Sequence, residues 1–78
     1  MDFDRKLDCY GVSCPMPLYM VSKEIKKMSP GEVLEVTATD EGIREDMPAW
    51  CNATGNEFLG MEEELDTIKV CVRKKEGK

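Results

Sequence analysis

The chain has 78 residues and a mass of 8.8 kDa, room for one small domain over 1–78 that buries about 60% of the surface its unfolded chain exposes. Eleven Lys and Arg residues against 16 Asp and Glu leave a formal charge of -5, so no overall basic field exists to hold a phosphate backbone, and direct nucleic-acid binding is not expected. Histidine is absent, which excludes Ser-His-Asp triads, Cys-His dyads and Cys/His zinc sites together; chemistry falls to cysteine or carboxylate.

With 41% apolar and 35% charged residues, the composition is that of a soluble globular domain. No stretch approaches the roughly 18 apolar residues of a membrane span, and the opening Met1-Asp2-Phe3-Asp4-Arg5-Lys6 lacks the apolar run of a signal peptide. A cytoplasmic protein without membrane contact is expected. Its four cysteines, Cys9, Cys14, Cys51 and Cys71, are then read as thiols. A zinc site wants Cys-x2-Cys pairs, whereas Cys9 and Cys14 form the one Cys-x4-Cys; no metal is expected.

In chain order, Arg5 to Tyr10 alternates, with Leu7 and Cys9 on one side and Lys6 and Asp8 on the other, the period of a half-buried strand that Gly11 breaks. From Pro15 to Met28 the apolar residues Leu18, Val21, Ile25 and Met28 recur at helical spacing, with Lys23, Lys26 and Lys27 largely off that stripe. Ser29-Pro30-Gly31 ends the helix. Val33 to Thr39 reads as a β-branched strand with Leu34, Val36 and Ala38 on one face.

Asp40-Glu41-Gly42 opens a segment in which Ile43, Met47, Trp50 and Cys51 recur at helical spacing. Because proline is disfavoured inside a helix, the preferred reading starts the helix beside Pro48, with Asp46 as its N-cap. Asn52-Ala53-Thr54-Gly55 ends it. Two strands follow, around Glu57 to Met61 and Thr67 to Arg73, joined by the acidic turn Glu62 to Asp66; Ile68, Val70 and Val72 face inward, Lys69, Cys71 and Arg73 outward. Lys74 to Lys78 reads as a charged tail. The order β-α-β-α-β-β predicts a two-layer α/β sandwich: a four-stranded mixed sheet with both helices on one face.

Cys14 precedes the first helix, where serine or aspartate usually caps free backbone N-H groups. With Cys14 as N-cap, Pro15 and Pro17 carry no N-H, leaving Met16 and Leu18 as the nearest donors. A helix N-terminus stabilises a nearby anion by ~0.3–1 kcal/mol, which favours thiolate over thiol. Such a thiolate is a nucleophile, and a persulfide on the same sulfur is equally anionic. The other three cysteines read as structural: Cys9 alternates inward with Leu7, Cys51 adjoins Trp50 in an apolar stripe, and Cys71 lies mid-strand.

The stretch Leu7-Asp8-Cys9-Tyr10-Gly11-Val12-Ser13-Cys14-Pro15-Met16-Pro17 resembles the signature of the TusA/SirA-like sulfur carriers, Cys-Pro-x-Pro after a Leu-Asp-x-x-Gly lead. Pro30-Gly31-Glu32, Asp40, and Asp46-Met47-Pro48-Ala49-Trp50-Cys51 continue the likeness in the same order, the last similar to the family's Asp-Ile-Pro-x-aromatic-Cys. The resemblance implies the two-layer sandwich seen in the C-terminal domain of the third bacterial translation initiation factor. It also implies that Cys14 takes sulfane sulfur from a cysteine desulfurase or another sulfurtransferase and passes it to a downstream acceptor protein, with no cofactor. The family's uses include tRNA thiolation, sulfur oxidation, thiosulfate handling and molybdenum-cofactor maturation. Three positions depart from the usual pattern: Met16 where many members have Glu, Glu41 where they have Pro, and Ser22 where a basic residue is common.

The expected site is therefore Cys14 as the persulfide-bearing nucleophile, with Gly11, Pro15, Met16 and Pro17 as its supporting motif and Cys9 as an accessory thiol. Lys23, Lys26 and Lys27 are placed to steer an acidic partner. Two rival readings stand beside this one. A Cys9/Cys14 thiol-disulfide redox protein lacks the usual Cys-x-x-Cys. A non-catalytic regulatory or interaction module would leave Cys14 incidental.

Overall fold

The computed structural model describes residues 3–13 and 16–75. Six elements follow in chain order: β1 (Arg5–Cys9), α1 (Met16–Lys26), β2 (Val33–Ala38), α2 (Ile43–Thr54), β3 (Glu57–Glu64) and β4 (Thr67–Arg73). The strands form one sheet in the order β1-β2-β4-β3. β1 runs parallel to β2, and the other two pairings are antiparallel. The expected mixed sheet and two-layer architecture are what the chain adopts. No helix among the described residues is long and apolar enough to cross a membrane.

One face of the sheet carries the core. Leu34, Val36 and Ala38 of β2, Ile68, Val70 and Val72 of β4, and Cys9 of β1 are buried against Val21 and Ile25 of α1 and Ile43, Met47 and Cys51 of α2. Strand alternation sends each set to one side, and spacings of four along each helix supply the matching stripes. Pro17 is also buried but sits in the first turn of α1, where its missing N-H costs no helical bond.

The first helix is shorter than its apolar pattern predicts, ending at Lys26 and not Met28. Its last turn tightens: Lys27 N-H donates to the Glu24 carbonyl at 3.0 Å and Met28 N-H to that of Ile25 at 3.1 Å, which keeps Met28 buried beyond the helix end. The chain then reverses through Ser29-Pro30-Gly31-Glu32. Pro30 suits the second position of a type II turn, and Gly31, at φ +90°, supplies the left-handed third. Glu32 N-H donates to the Ser29 carbonyl at 3.1 Å, and Glu32 Oε1 accepts from Ser29 N-H at 2.8 Å.

The second helix starts earlier than the sequence reading preferred. It begins at Ile43, so Pro48 lies inside it and Asp46 is not its N-cap. The physical reason is burial. Ile43 and Met47 have no exposed surface and Cys51 has 2%, so starting the helix at Pro48 would withdraw a core anchor to save one hydrogen bond. Burying an isoleucine contributes about 1.5–3 kcal/mol. The lead-in is wound by i to i-3 bonds from Ile43, Arg44 and Glu45 to Asp40, Glu41 and Gly42 at 3.1–3.2 Å. Asp40 Oδ1 accepts from Gly42 N-H at 2.7 Å. Arg44 ties this turn to β3, pairing with Glu41 at 2.6 Å and also with Glu63.

The fourth strand spans Thr67–Arg73 as expected, but the third is longer than its pattern predicts. β3 continues to Glu64, so Glu62, Glu63 and Glu64 are strand residues opposite Lys69, Ile68 and Thr67, and the connection shrinks to Leu65-Asp66. Pairing explains the extension: Lys69 Nζ lies 3.1 Å from Glu64 Oε1, relieving part of the acidic run. A register shift between Phe58 and Gly60 leaves Leu59 unpaired as a bulge. The supposed tail is partly anchored. Lys74 N-H donates to the Glu32 carbonyl at 2.9 Å, its ammonium to that of Met28 at 2.6 Å, and Lys75 N-H to Asn56 Oδ1 at 2.9 Å.

Leu65 at the hairpin tip has φ 53° and is fully exposed. A side chain there gains no packing and bears the left-handed penalty of about 1–2 kcal/mol. Leu65→Gly should therefore raise the unfolding free energy by about 1 kcal/mol in urea, net of the added entropy of an unfolded glycine. An unchanged or lower midpoint would contradict this.

Candidate functional site

The C-terminal end of β1 feeds a short, closely bonded turn. Asp8 Oδ1 accepts from Tyr10 N-H at 2.9 Å, and the Cys9 carbonyl accepts from Val12 N-H at 3.1 Å. Gly11 is the third residue of this turn at φ +78°, with open space where a Cβ would stand. Backbone conformation, not crowding, is what demands glycine here. Across the sheet end, Gly11 N-H donates to Thr39 Oγ1 at 2.9 Å. Ser13 ends the described part of the turn, and its carbonyl accepts from Met16 N-H at 3.0 Å.

Cys14 and Pro15 lie outside the described residues, as does the expected N-cap role of Cys14. Of the rest of the expected motif, Gly11 holds the turn, Met16 is 49% exposed at the start of α1, and Pro17 is buried beneath it. Cys9 faces inward as expected. Its side chain has no exposure, and its Sγ lies 3.8 Å from Met20 Sδ. Taking part in exchange would require Cys9 to leave the core.

The described thiols are chemically withdrawn. Burial pushes Cys51 up to about 11. Burial raises Cys9 as well, helped by the Asp8 carboxylate, and it raises Cys71 with help from Glu35 and Glu62. Cys71 does point away from the helices, as its strand parity predicted, yet it is only 4% exposed. It pairs with Glu35 on one side and Gly60 on the other; Glu35 is itself buried on this open face.

Beside the start of α1 lies a shallow groove of about 370 Å³ lined by Met16, Tyr19, Met20 and Lys23. Tyr19 is 66% exposed. The sequence reading assigned Tyr19 and Met20 no role, although the four residues stand at i, i+3, i+4 and i+7 and form a second helical stripe next to the buried one. Lys26 and Lys27 lie at the other end of α1, with only Lys23 lining the groove. Thr39 was missed for a different reason: its contact spans 28 residues and leaves no local pattern. Among the described residues no cluster of three or more His, Cys, Asp or Glu side chains could hold a metal ion.

The raised thiols have a measurable consequence. At pH 8, iodoacetamide should leave Cys9, Cys51 and Cys71 unmodified in the folded protein and modify them after denaturation, as read by peptide mass. Raised folded values also mean that the unfolded chain loses thiol protons first, so stability should fall as pH rises from 9.0 towards about 11. Cys51→Ala should flatten that decline in pH-resolved urea titrations. An unchanged slope would count against Cys51 as its source.

Comparison with known proteins places this geometry in context. The sequence matches the family described as Sulfurtransferase TusA over residues 5–74. It is 42% identical over 72 residues to the sulfur carrier protein TusA of Pseudomonas entomophila (strain L48), covering 92% of this chain and 90% of that one. Against the sulfur carrier protein TusA of Allochromatium vinosum the identity is 40% over 73 residues, with 94% and 96% covered. YrkF of Bacillus subtilis (strain 168) is 44% identical over 68 residues, but this chain spans only 37% of YrkF's length. In fold, a SirA-like protein from Desulfitobacterium hafniense superposes with a TM-score of 0.81 at 20% identity, covering 94% of this chain and all of that one. The chain belongs to the TusA sulfurtransferase family.

Proposed function

We propose that this chain is a sulfur carrier that holds sulfane sulfur as a persulfide on Cys14 and relays it between partner proteins. One observation carries the assignment to Cys14: the family match spans the whole turn and the start of α1, while the other three cysteines are buried with raised thiol values. In the loading step the Cys14 thiolate attacks the terminal sulfur of a donor persulfide. A new S-S bond forms, the donor's S-S bond breaks, and the donor leaves as a thiolate. In the unloading step an acceptor thiolate attacks the terminal sulfur of Cys14-S-SH, and Cys14 departs as thiolate. Electrons balance at each transfer, so neither oxidant nor cofactor is needed.

The donor is a cysteine desulfurase or another sulfurtransferase and the acceptor a further protein of the relay, both met in the cytoplasm. Gly11, Pro15, Met16 and Pro17 are the motif residues that support the carrier cysteine, Gly11 through the turn and Met16 and Pro17 through the start of α1. The groove of Met16, Tyr19, Met20 and Lys23, beside α1, offers a partner an apolar contact with one cation on its rim.

Reduced wild type and Cys14→Ser, incubated with a cysteine desulfurase and cysteine, give intact masses that test the reading. The expected result is a gain of one sulfur on the wild type, absent from Cys14→Ser and reversed by dithiothreitol. Confirmed donor turnover with no sulfur retained would overturn it. A loss of two hydrogens instead would favour a Cys9/Cys14 disulfide.

A further inference from the structure

The turn that leads to Cys14 is held by two kinds of bond. The contacts from Tyr10 N-H to Asp8 and from Val12 N-H to Cys9 are local and shape the turn without tying it to the rest of the sheet. The bond from Gly11 N-H to Thr39 Oγ1, at 2.9 Å, joins it to the end of β2. Parallel pairing brings the two together: Cys9 is opposite Ala38, so the residues just beyond each strand lie side by side. Gly11 is three residues before Cys14.

We propose that Thr39 is a positioning residue for sulfur transfer, its hydroxyl fixing the turn through which the chain reaches the carrier cysteine. This rests on the reading of Cys14 above. The Gly11–Thr39 bond is exposed, so water can replace it at little cost to the fold. What water cannot replace is the orientation. With the tether gone the turn keeps its local bonds but samples more directions, and the sulfur meets its reaction partner in line less often. A hydrogen bond of ordinary net strength corresponds to about a three- to tenfold slower transfer.

The test uses the full chain as wild type, Thr39→Val, Thr39→Ala and Thr39→Ser. Two rates are measured: persulfide loading of Cys14 from sodium tetrasulfide, and iodoacetamide alkylation of Cys14, both followed by mass with thermal melts alongside. Thr39→Val and Thr39→Ala should melt close to wild type and react about three- to tenfold more slowly. Thr39→Ser, which keeps the hydroxyl, should recover the rate to within about twofold of wild type. A merely structural role would not be rescued by serine while leaving the melts unmoved. Wild-type rates in folded Thr39→Val or Thr39→Ala, or a Thr39→Ser as slow as they are, would overturn the inference. Failure of the wild type itself to load would overturn the carrier reading, and the alkylation rates would still decide on Thr39.

Discussion

Burial of the inward face of β2 is the constraint on which the rest depends. β2 is the strand that pairs with both β1 and β4, and Leu34, Val36 and Ala38 have no exposed surface. Side chains on a strand alternate, so a slip of one residue would turn all three outward, each apolar side chain losing about 1–3 kcal/mol of burial. That penalty locks the register. The register then places Ala38 beside Cys9, and with it Thr39 beside the turn that leads to Cys14. A requirement of the core thus sets the geometry at one end of the sheet.

The same core divides the cysteines by task. Cys9 and Cys51 serve as small apolar side chains beneath the helices, and Cys71 is buried on the opposite face between Glu35 and Gly60. A persulfide is lost if a neighbouring thiolate attacks it, and an internal disulfide then releases the cargo. Burial that keeps three thiols protonated and out of reach protects a relay from that short circuit. The methionine beside Cys9 fits the arrangement, since a thioether accepts a thiol contact but cannot exchange with it.

Much of the fold was legible in local pattern because the pattern reflects burial directly. The alternation of Leu7 with Cys9 and the stripe of Val21 and Ile25 predicted faces that the structure buries. Where two local signals conflicted, the sequence reading followed the wrong one. Pro48 argued for a late helix start and Ile43 for an early one, and only the presence of the sheet beneath Ile43 decides between a lost hydrogen bond and a lost anchor. The run Glu62 to Glu64 read as a turn because its charge is repulsive in isolation; its partners Lys69 and Arg44 come from other elements.

The amino-acid sequence by itself determined the order of elements, the inward faces of β1, β2 and β4, the family, and Cys14 as the carrier expected from that likeness. The faces and the Cys14 motif are encoded by residues within a few positions of one another, and the family by several such short blocks in a fixed order. Tertiary structure decided the start of α2, the length of the β3-β4 hairpin, the burial of Cys71, the groove beside Met16 and Tyr19, and the bond from Gly11 to Thr39. Most of these depend on groups brought together from distant parts of the chain. For the hairpin length, the burial of Cys71 and the bond from Gly11 to Thr39, the free energies come from burial and pairing that exist only once the sheet has formed, so no local spacing in the sequence could announce them.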